Sequence, residues 1–156
     1  MSLELQIKRR FRLGIKGPRC TDWLRGVGLP IPQNVFDIAA IEGGRLIRAG
    51  LYEYILEGSS AKQFQKILQQ GAPNVYPIEH QEICLHVLGD ERDRVLAQTC
   101  GLNPDELEPG KVYYTRAAGA PVAMIVDESS HEYWVDPSLA HYLEETFHEI
   151  ISQVLA

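Results

Sequence analysis

The segment Leu13-Gly14-Ile15-Lys16-Gly17 has a counterpart 72 residues further along the chain, Leu85-His86-Val87-Leu88-Gly89. A helical pattern follows each segment and ends at a glycine–leucine pair, Gly28-Leu29 in the first case and Gly101-Leu102 in the second. Self-similarity at a regular offset, which here grows from 72 to 79 residues along the chain, is typical of a repeated structural unit. The sequence therefore predicts a single domain, 1–156, built of two pseudo-repeats at about 1–73 and 74–156.

A second pair of similar segments gives both halves the same order of elements. Tyr52-Glu53-Tyr54-Ile55-Leu56 precedes a predicted helix that starts near Ser60, and His131-Glu132-Tyr133-Trp134-Val135 precedes one that starts near Pro137. Each half is therefore expected to contain a strand, a helix, two or three strands and a second helix. This order predicts an α+β fold with mainly antiparallel sheet.

Local patterns indicate where several of these elements begin. Apolar and polar residues alternate from Leu3 to Ile15, which predicts one long strand. Ser60 and Gln63 have the spacing of a capping box, and Asp90 is predicted to cap the helix that follows it.

Composition and charge exclude several classes of protein. The 156 residues are 45% hydrophobic and 23% charged, which is ordinary globular composition. The net charge is −6, divided as +5 over 1–73 and −11 over 74–156, so a nucleic-acid interface is not expected. No apolar run is long enough to span a bilayer, and the three cysteines lack any CxxC spacing. A cytoplasmic protein with no membrane partner is therefore expected.

Basic residues near the start of the chain are the best candidates for ligand contacts. Arg10, Arg12 and Lys16 share one strand parity and have the chemistry to bind a carboxylate or phosphate. The alternative is an edge strand that charged side chains protect from aggregation.

Two constellations suggest catalysis or metal binding, but simpler explanations account for both. His141, Glu145 and His148 lie on one face of the last predicted helix, opposite its apolar stripe, as a solvated face would. The serines next to His131 fall in a predicted hairpin turn without a GxSxG motif. His86 is expected at a sheet surface and Cys20 in the core. No catalytic residue and no metal site are therefore predicted.

Several phrases resemble the sarcosine oxidase gamma subunit family. They are Phe11-Arg12-Leu13-Gly14-Ile15-Lys16-Gly17-Pro18, the later Arg48-Ala49-Gly50, and Val135-Asp136-Pro137-Ser138 before the last helix. That family is related to the folate-binding domain of the glycine cleavage T-protein, an aminomethyltransferase, and shares its duplicated α+β fold. The resemblance implies a non-catalytic subunit that holds no cofactor itself and assembles with flavoenzyme subunits, and so at most a subunit of an oxidoreductase complex.

Departures from the folate-binding relatives leave two alternatives open. The Thr-Gly-Glu stretch that follows this position in the folate-binding relatives is missing after Arg48-Ala49-Gly50. Glu53 is the residue nearest in the sequence to the place of the glutamate in that stretch. A stand-alone folate or pterin binder of one-carbon metabolism would hold tetrahydrofolate with Arg12, Lys16, Arg48 and either Glu53 or Asp37. The other alternative is a homo-oligomeric structural module.

Overall fold

Two five-stranded antiparallel sheets and four α-helices make up residues 2–156, which a computed structural model describes. The strands are β1 (Glu4–Lys8), β2 (Arg12–Lys16), β3 (Ile38–Ile41), β4 (Gly44–Gly50), β5 (Glu53–Gly58), β6 (Tyr76–His80), β7 (Ile83–Leu88), β8 (Val112–Ala117), β9 (Ala120–Val126) and β10 (Ser130–Val135). The helices are α1 (Cys20–Gly26), α2 (Ala61–Gln69), α3 (Arg92–Thr99) and α4 (Pro137–Leu155). The predicted α+β class with mainly antiparallel sheet is confirmed.

The chain forms two compact units, and the first comprises Arg10–His80. Its sheet has the strand order β3-β4-β5-β2-β6. Leucine and isoleucine side chains on one face of the central strands pack with α1 and α2, because alternate residues of a strand point to the same side. The buried core consists of Leu13, Ile15, Cys20, Leu24, Leu46, Tyr54, Leu56, Ala61, Leu68 and Val75.

The second unit comprises the segment that ends at Arg9 together with Gln81–Ala156. Its sheet has the order β1-β7-β10-β9-β8. The apolar stripe of α4 packs on this sheet through Leu143, Phe147 and Ile151. The centres of the Phe147 and Tyr133 rings lie 4.8 Å apart in an edge-to-face arrangement. Asp136 caps α4 by accepting a hydrogen bond from the Ser138 amide, as the Asp-Pro entry predicts.

One of the two neighbours of β2 is β6, from the second half of the chain, and one of the two neighbours of β7 is β1, from the first half. β6 lies 72 residues after β1, and the two strands belong to different sheets. The turns that follow β2 and β7 each make a long-range backbone hydrogen bond. The Arg19 amide donates to the Asn74 carbonyl, and the Glu91 amide donates to the Ser2 carbonyl.

Three local predictions are wrong. The long strand from Leu3 to Ile15 is two strands in different sheets, because the chain leaves the sheet of β1 and β7 at Arg9 and enters the other sheet at Arg12. β2 is an interior strand between β5 and β6, so its basic residues do not protect an edge. The caps also differ: neither α2 nor α3 has a side-chain hydrogen bond at its N-cap, and Asp90 instead accepts hydrogen bonds from Ser2.

Candidate functional site

Arg12 is the most deeply buried of the predicted ligand-binding residues, with 2% of its surface exposed. It lies directly opposite Glu57 in the pairing of β2 with β5, and its Nε donates to Glu57 Oε2 at 3.0 Å. Arg45 on β4 faces the same carboxylate from the other side, with Nε 3.0 Å from Oε1. Three neighbouring strands therefore bring two guanidinium groups onto one buried carboxylate.

Lys16 and Glu53 form a separate pair at the other end of β2. They are opposite each other in the register with β5, and the Lys16 ammonium lies 3.2 Å from Glu53 Oε1. Both side chains are partly exposed. An exposed ion pair of this kind contributes only about 0–1 kcal/mol to stability, so the pair is easily opened.

Arg48 lies on the opposite face of the same sheet. Its register partner is Tyr54, which is in the core with the helices, and its guanidinium lies 5.5 Å from the centre of the Tyr54 ring. Its Nη1 donates to the carbonyls of Pro32 and Gln33 at 3.0 and 3.1 Å. These bonds tie the loop before β3 to the sheet.

The four predicted ligand-binding residues thus do not form one ring around a common ligand. Arg12, Lys16 and Glu53 share a face of the sheet, but Arg12 and Lys16 are four positions apart on β2. Arg48 projects from the other face. Sequence reasoning missed Arg45 and Glu57, although Glu57 shares the strand parity of Glu53.

The serine and histidine residues near the β9–β10 turn have partners other than each other. Ser130 Oγ donates to Asp127 Oδ2 at 2.8 Å, and His131 Nε2 lies 3.3 Å from Asp93 Oδ1. Burial lowers the pKa of His131 to about 4, against the opposing effect of Asp93. The imidazole is therefore neutral at pH 7, and no serine hydroxyl is bonded to it in the described contacts.

The histidines of α4 face solvent, as predicted. His141 Nε2 lies 3.1 Å from Glu145 Oε1, and His148 Nε2 lies 3.8 Å from Glu144 Oε1. Within residues 2–156 there is no group of three or more ligand-type side chains that could hold a metal ion.

Cys20, Cys84 and His86 are buried, and Cys100 is partly buried. Cys20 is fully buried, which raises the pKa of its thiol and makes it a packing residue, as predicted. His86 is also buried and stands opposite Glu132 in the pairing of β7 with β10, so its predicted place at a sheet surface is wrong. Cys84 is buried as well, and within residues 2–156 no disulfide joins any of the three cysteines.

Comparison with solved structures identifies the fold. A chain of the heterotetrameric sarcosine oxidase from Corynebacterium sp. U-96, solved with pyrrole 2-carboxylate, has a TM-score of 0.84 and 18% identity over 99% of this chain and 86% of that chain. Aminomethyltransferase T of the glycine cleavage system from Bartonella henselae has a TM-score of 0.67 and 17% identity, over 93% of this chain and 45% of that chain. The predicted resemblance to both is confirmed at the level of the fold.

Sequence comparison adds no further relationship, since no protein-family model and no curated protein matches the chain. Across the described residues, none of the helices has the length and apolar character needed to cross a membrane.

Proposed function

We propose that this chain is a non-catalytic subunit or accessory protein that assembles with a flavin-dependent amine oxidase. The observation that carries the proposal is the match over 99% of this chain and 86% of a chain of a heterotetrameric sarcosine oxidase. The two chains are similar in length and share one fold throughout. A role within such an assembly explains why the sequence resembles the gamma subunit family in its packing phrases and not in a catalytic motif.

The contacts of the predicted ligand-binding residues support this role. Arg12 is paired with Glu57, Lys16 with Glu53, and Arg48 with backbone carbonyls. Each of these side chains therefore already has a partner within the unit Arg10–His80. A folate ligand would have to compete with at least one of these contacts.

The alternative is a stand-alone binder of folate or another pterin, and the fold shared with aminomethyltransferase T favours it. The chain spans less than half of that protein's length. In this case Lys16 and Glu53 are the residues best able to contact tetrahydrofolate, because their ion pair is partly exposed.

Co-purification tests the subunit role. A tagged copy of the chain, expressed at its natural level in the source organism, is expected to bring down a flavoprotein in stoichiometric amount, seen by its visible flavin absorbance and identified by mass spectrometry. The preparation is expected to oxidise a secondary amine substrate, and the isolated chain is not. Recovery of the chain without any flavoprotein would contradict the proposal.

Thermal unfolding with tetrahydrofolate tests the alternative. A ligand at about 100 times its dissociation constant stabilises a protein by about 2.7 kcal/mol, which is a shift of several degrees for a domain of this size. Lys16→Gln should reduce the shift if folate binds there, whereas the exposed Lys62→Gln serves as a control with the same charge change. An unchanged unfolding temperature supports the subunit role.

We also infer that the two units descend from a duplicated segment whose copies, about 1–73 and 74–156, have exchanged one strand. The common strand order supports this, because β6-β2-β5-β4-β3 corresponds position by position to β1-β7-β10-β9-β8. The equivalent bonds of Arg19 with Asn74 and of Glu91 with Ser2 support it as well.

A further inference from the structure

An arginine cluster around Glu57 borders a cavity of about 310 Å³ in the unit Arg10–His80. We call it the Glu57 cavity; its walls include Arg10, Phe11, Arg45 and Glu57. Ligand sites in proteins typically have volumes of about 300–1,000 Å³, so this cavity accommodates a small molecule. Its lining includes none of the residues predicted to bind folate; of these, Arg12 contacts the cavity wall through its bond to Glu57.

The charges around the Glu57 cavity favour an anion. Both oxygens of Glu57 already accept hydrogen bonds, Oε1 from Arg45 Nε and Oε2 from Arg12 Nε, each at 3.0 Å. A third guanidinium, that of Arg10, approaches the same carboxylate to 3.7 Å. Three cations therefore surround one anion, and the bonds to Arg12 and Arg45 fix the carboxylate in place.

Arg10 is the member of the cluster that is positioned to receive a ligand. Its side chain is 45% exposed, whereas that of Glu57 is 4% exposed. At 3.7 Å its ion pair is longer than a charge-assisted hydrogen bond of about 2.7–2.9 Å. Its planar group has five N–H donors and suits carboxylate or phosphate oxygens, so a ligand can engage it without breaking a short bond.

Phe11 supplies an apolar wall beside these charges. The Lys62 ammonium lies 5.6 Å from the centre of the Phe11 ring, which adds another positive group to this part of the surface. A site with one apolar wall and two guanidinium groups suits a molecule with an acidic head and an apolar body. We propose that the Glu57 cavity binds a small organic anion, whose carboxylate or phosphate group pairs with Arg10 and Arg45 and whose apolar part lies against Phe11.

Glycine amide resonances offer a direct test, because Gly43, Gly44 and Gly58 also line the cavity. The full ¹⁵N-labelled chain is titrated with benzoate, phenyl phosphate and inorganic phosphate, with chloride keeping the ionic strength constant. Benzoate or phenyl phosphate is expected to shift these three resonances in a saturable way. Inorganic phosphate is expected to bind more weakly than phenyl phosphate, because it makes no contact with Phe11.

Matched variants connect the binding to Arg10. Arg10→Gln should weaken binding about tenfold, the cost of one hydrogen bond to a charged group. The ¹⁵N spectrum of the variant reports whether its chain is folded. Arg25→Gln removes the same charge from an exposed site on α1 and should leave the affinity unchanged.

Four results would overturn the proposal. Three of them concern the site: the absence of saturable shifts with any of the three probes, equal affinities of the original chain and Arg10→Gln, and an equal loss of affinity in Arg25→Gln. Inorganic phosphate that binds as tightly as phenyl phosphate would remove Phe11 from the site and so also contradict the proposed ligand class.

Discussion

His131 is a buried base whose protonation opposes folding. Only 4% of its surface is exposed, its Nε2 faces Asp93 at 3.3 Å, and its Nδ1 is buried without a hydrogen-bond partner in the described contacts. Its pKa is about 4 in the folded chain against 6.5 for an ordinary histidine. The unfolded chain therefore binds more protons than the folded chain between these two values.

This difference predicts a loss of stability in mild acid. The contribution of neutral His131 is complete above pH 6.5 and falls as the pH decreases toward 4, by up to about 1.4 kcal/mol per pH unit for one group. Urea unfolding at a series of pH values measures the slope. In His131→Phe the slope between these values should flatten, whereas the exposed His141→Gln should keep it; identical slopes in the original chain and His131→Phe would refute the assignment.

The sequence identifies Arg12 as a candidate for binding an anion, but it does not identify the side chains that surround Arg12. Polar residues alternate with apolar ones along β2, and this alternation is equally typical of a solvated face and of a face that carries paired charges. The decisive partner is Glu57, which follows Arg12 by 45 residues and meets it only through the register of β2 with β5. The chemistry of Arg12 was therefore predictable, but its burial was not.

Among the elements, the attachment of β1 depends on Gly89 at the end of β7. Gly89 has a φ of +122°, and a Cβ there would overlap the carbonyl oxygen of Ser2. Gly89→Ala should therefore destabilise the protein by about 1–3 kcal/mol from backbone strain alone and release the segment before β1. Hydrogen exchange is expected to accelerate in β1 before other strands of its sheet.

Gly101→Ala is the matched control for this prediction. Gly101 follows α3 in the same unit, lacks a positive φ, and has open space around its Cβ position. Its replacement should leave exchange in β1 unchanged. Equal protection of β1 in the original chain and Gly89→Ala would show that the turn after β7 does not hold the strand.

The elements themselves were largely predictable because periodicity is a local property. The helical patterns that end at Gly28-Leu29 and Gly101-Leu102 appear as α1 and α3, and the helices predicted to start near Ser60 and Pro137 appear as α2 and α4. The pairing of β1 with β7 and of β6 with β2 was not predictable, because strand pairing joins residues that lie far apart in the sequence. The cap at Asp90 failed for a similar reason, because Ser2 satisfies this carboxylate from 88 residues away.

For the whole molecule, the distribution of charge distinguishes assembly with a different protein from assembly of identical copies of this chain. The unit Arg10–His80 carries nine basic and six acidic residues, and the rest of the chain carries six and fifteen, so the net charges are +3 and −9. Copies of the chain share a net charge of −6 and repel each other at low salt. Sedimentation of the isolated chain is therefore expected to give the monomer mass of 17.6 kDa at low and high ionic strength alike. A dimer at low salt that dissociates as salt is added would instead favour the homo-oligomeric alternative, in which the positive unit of one copy binds the negative unit of the next.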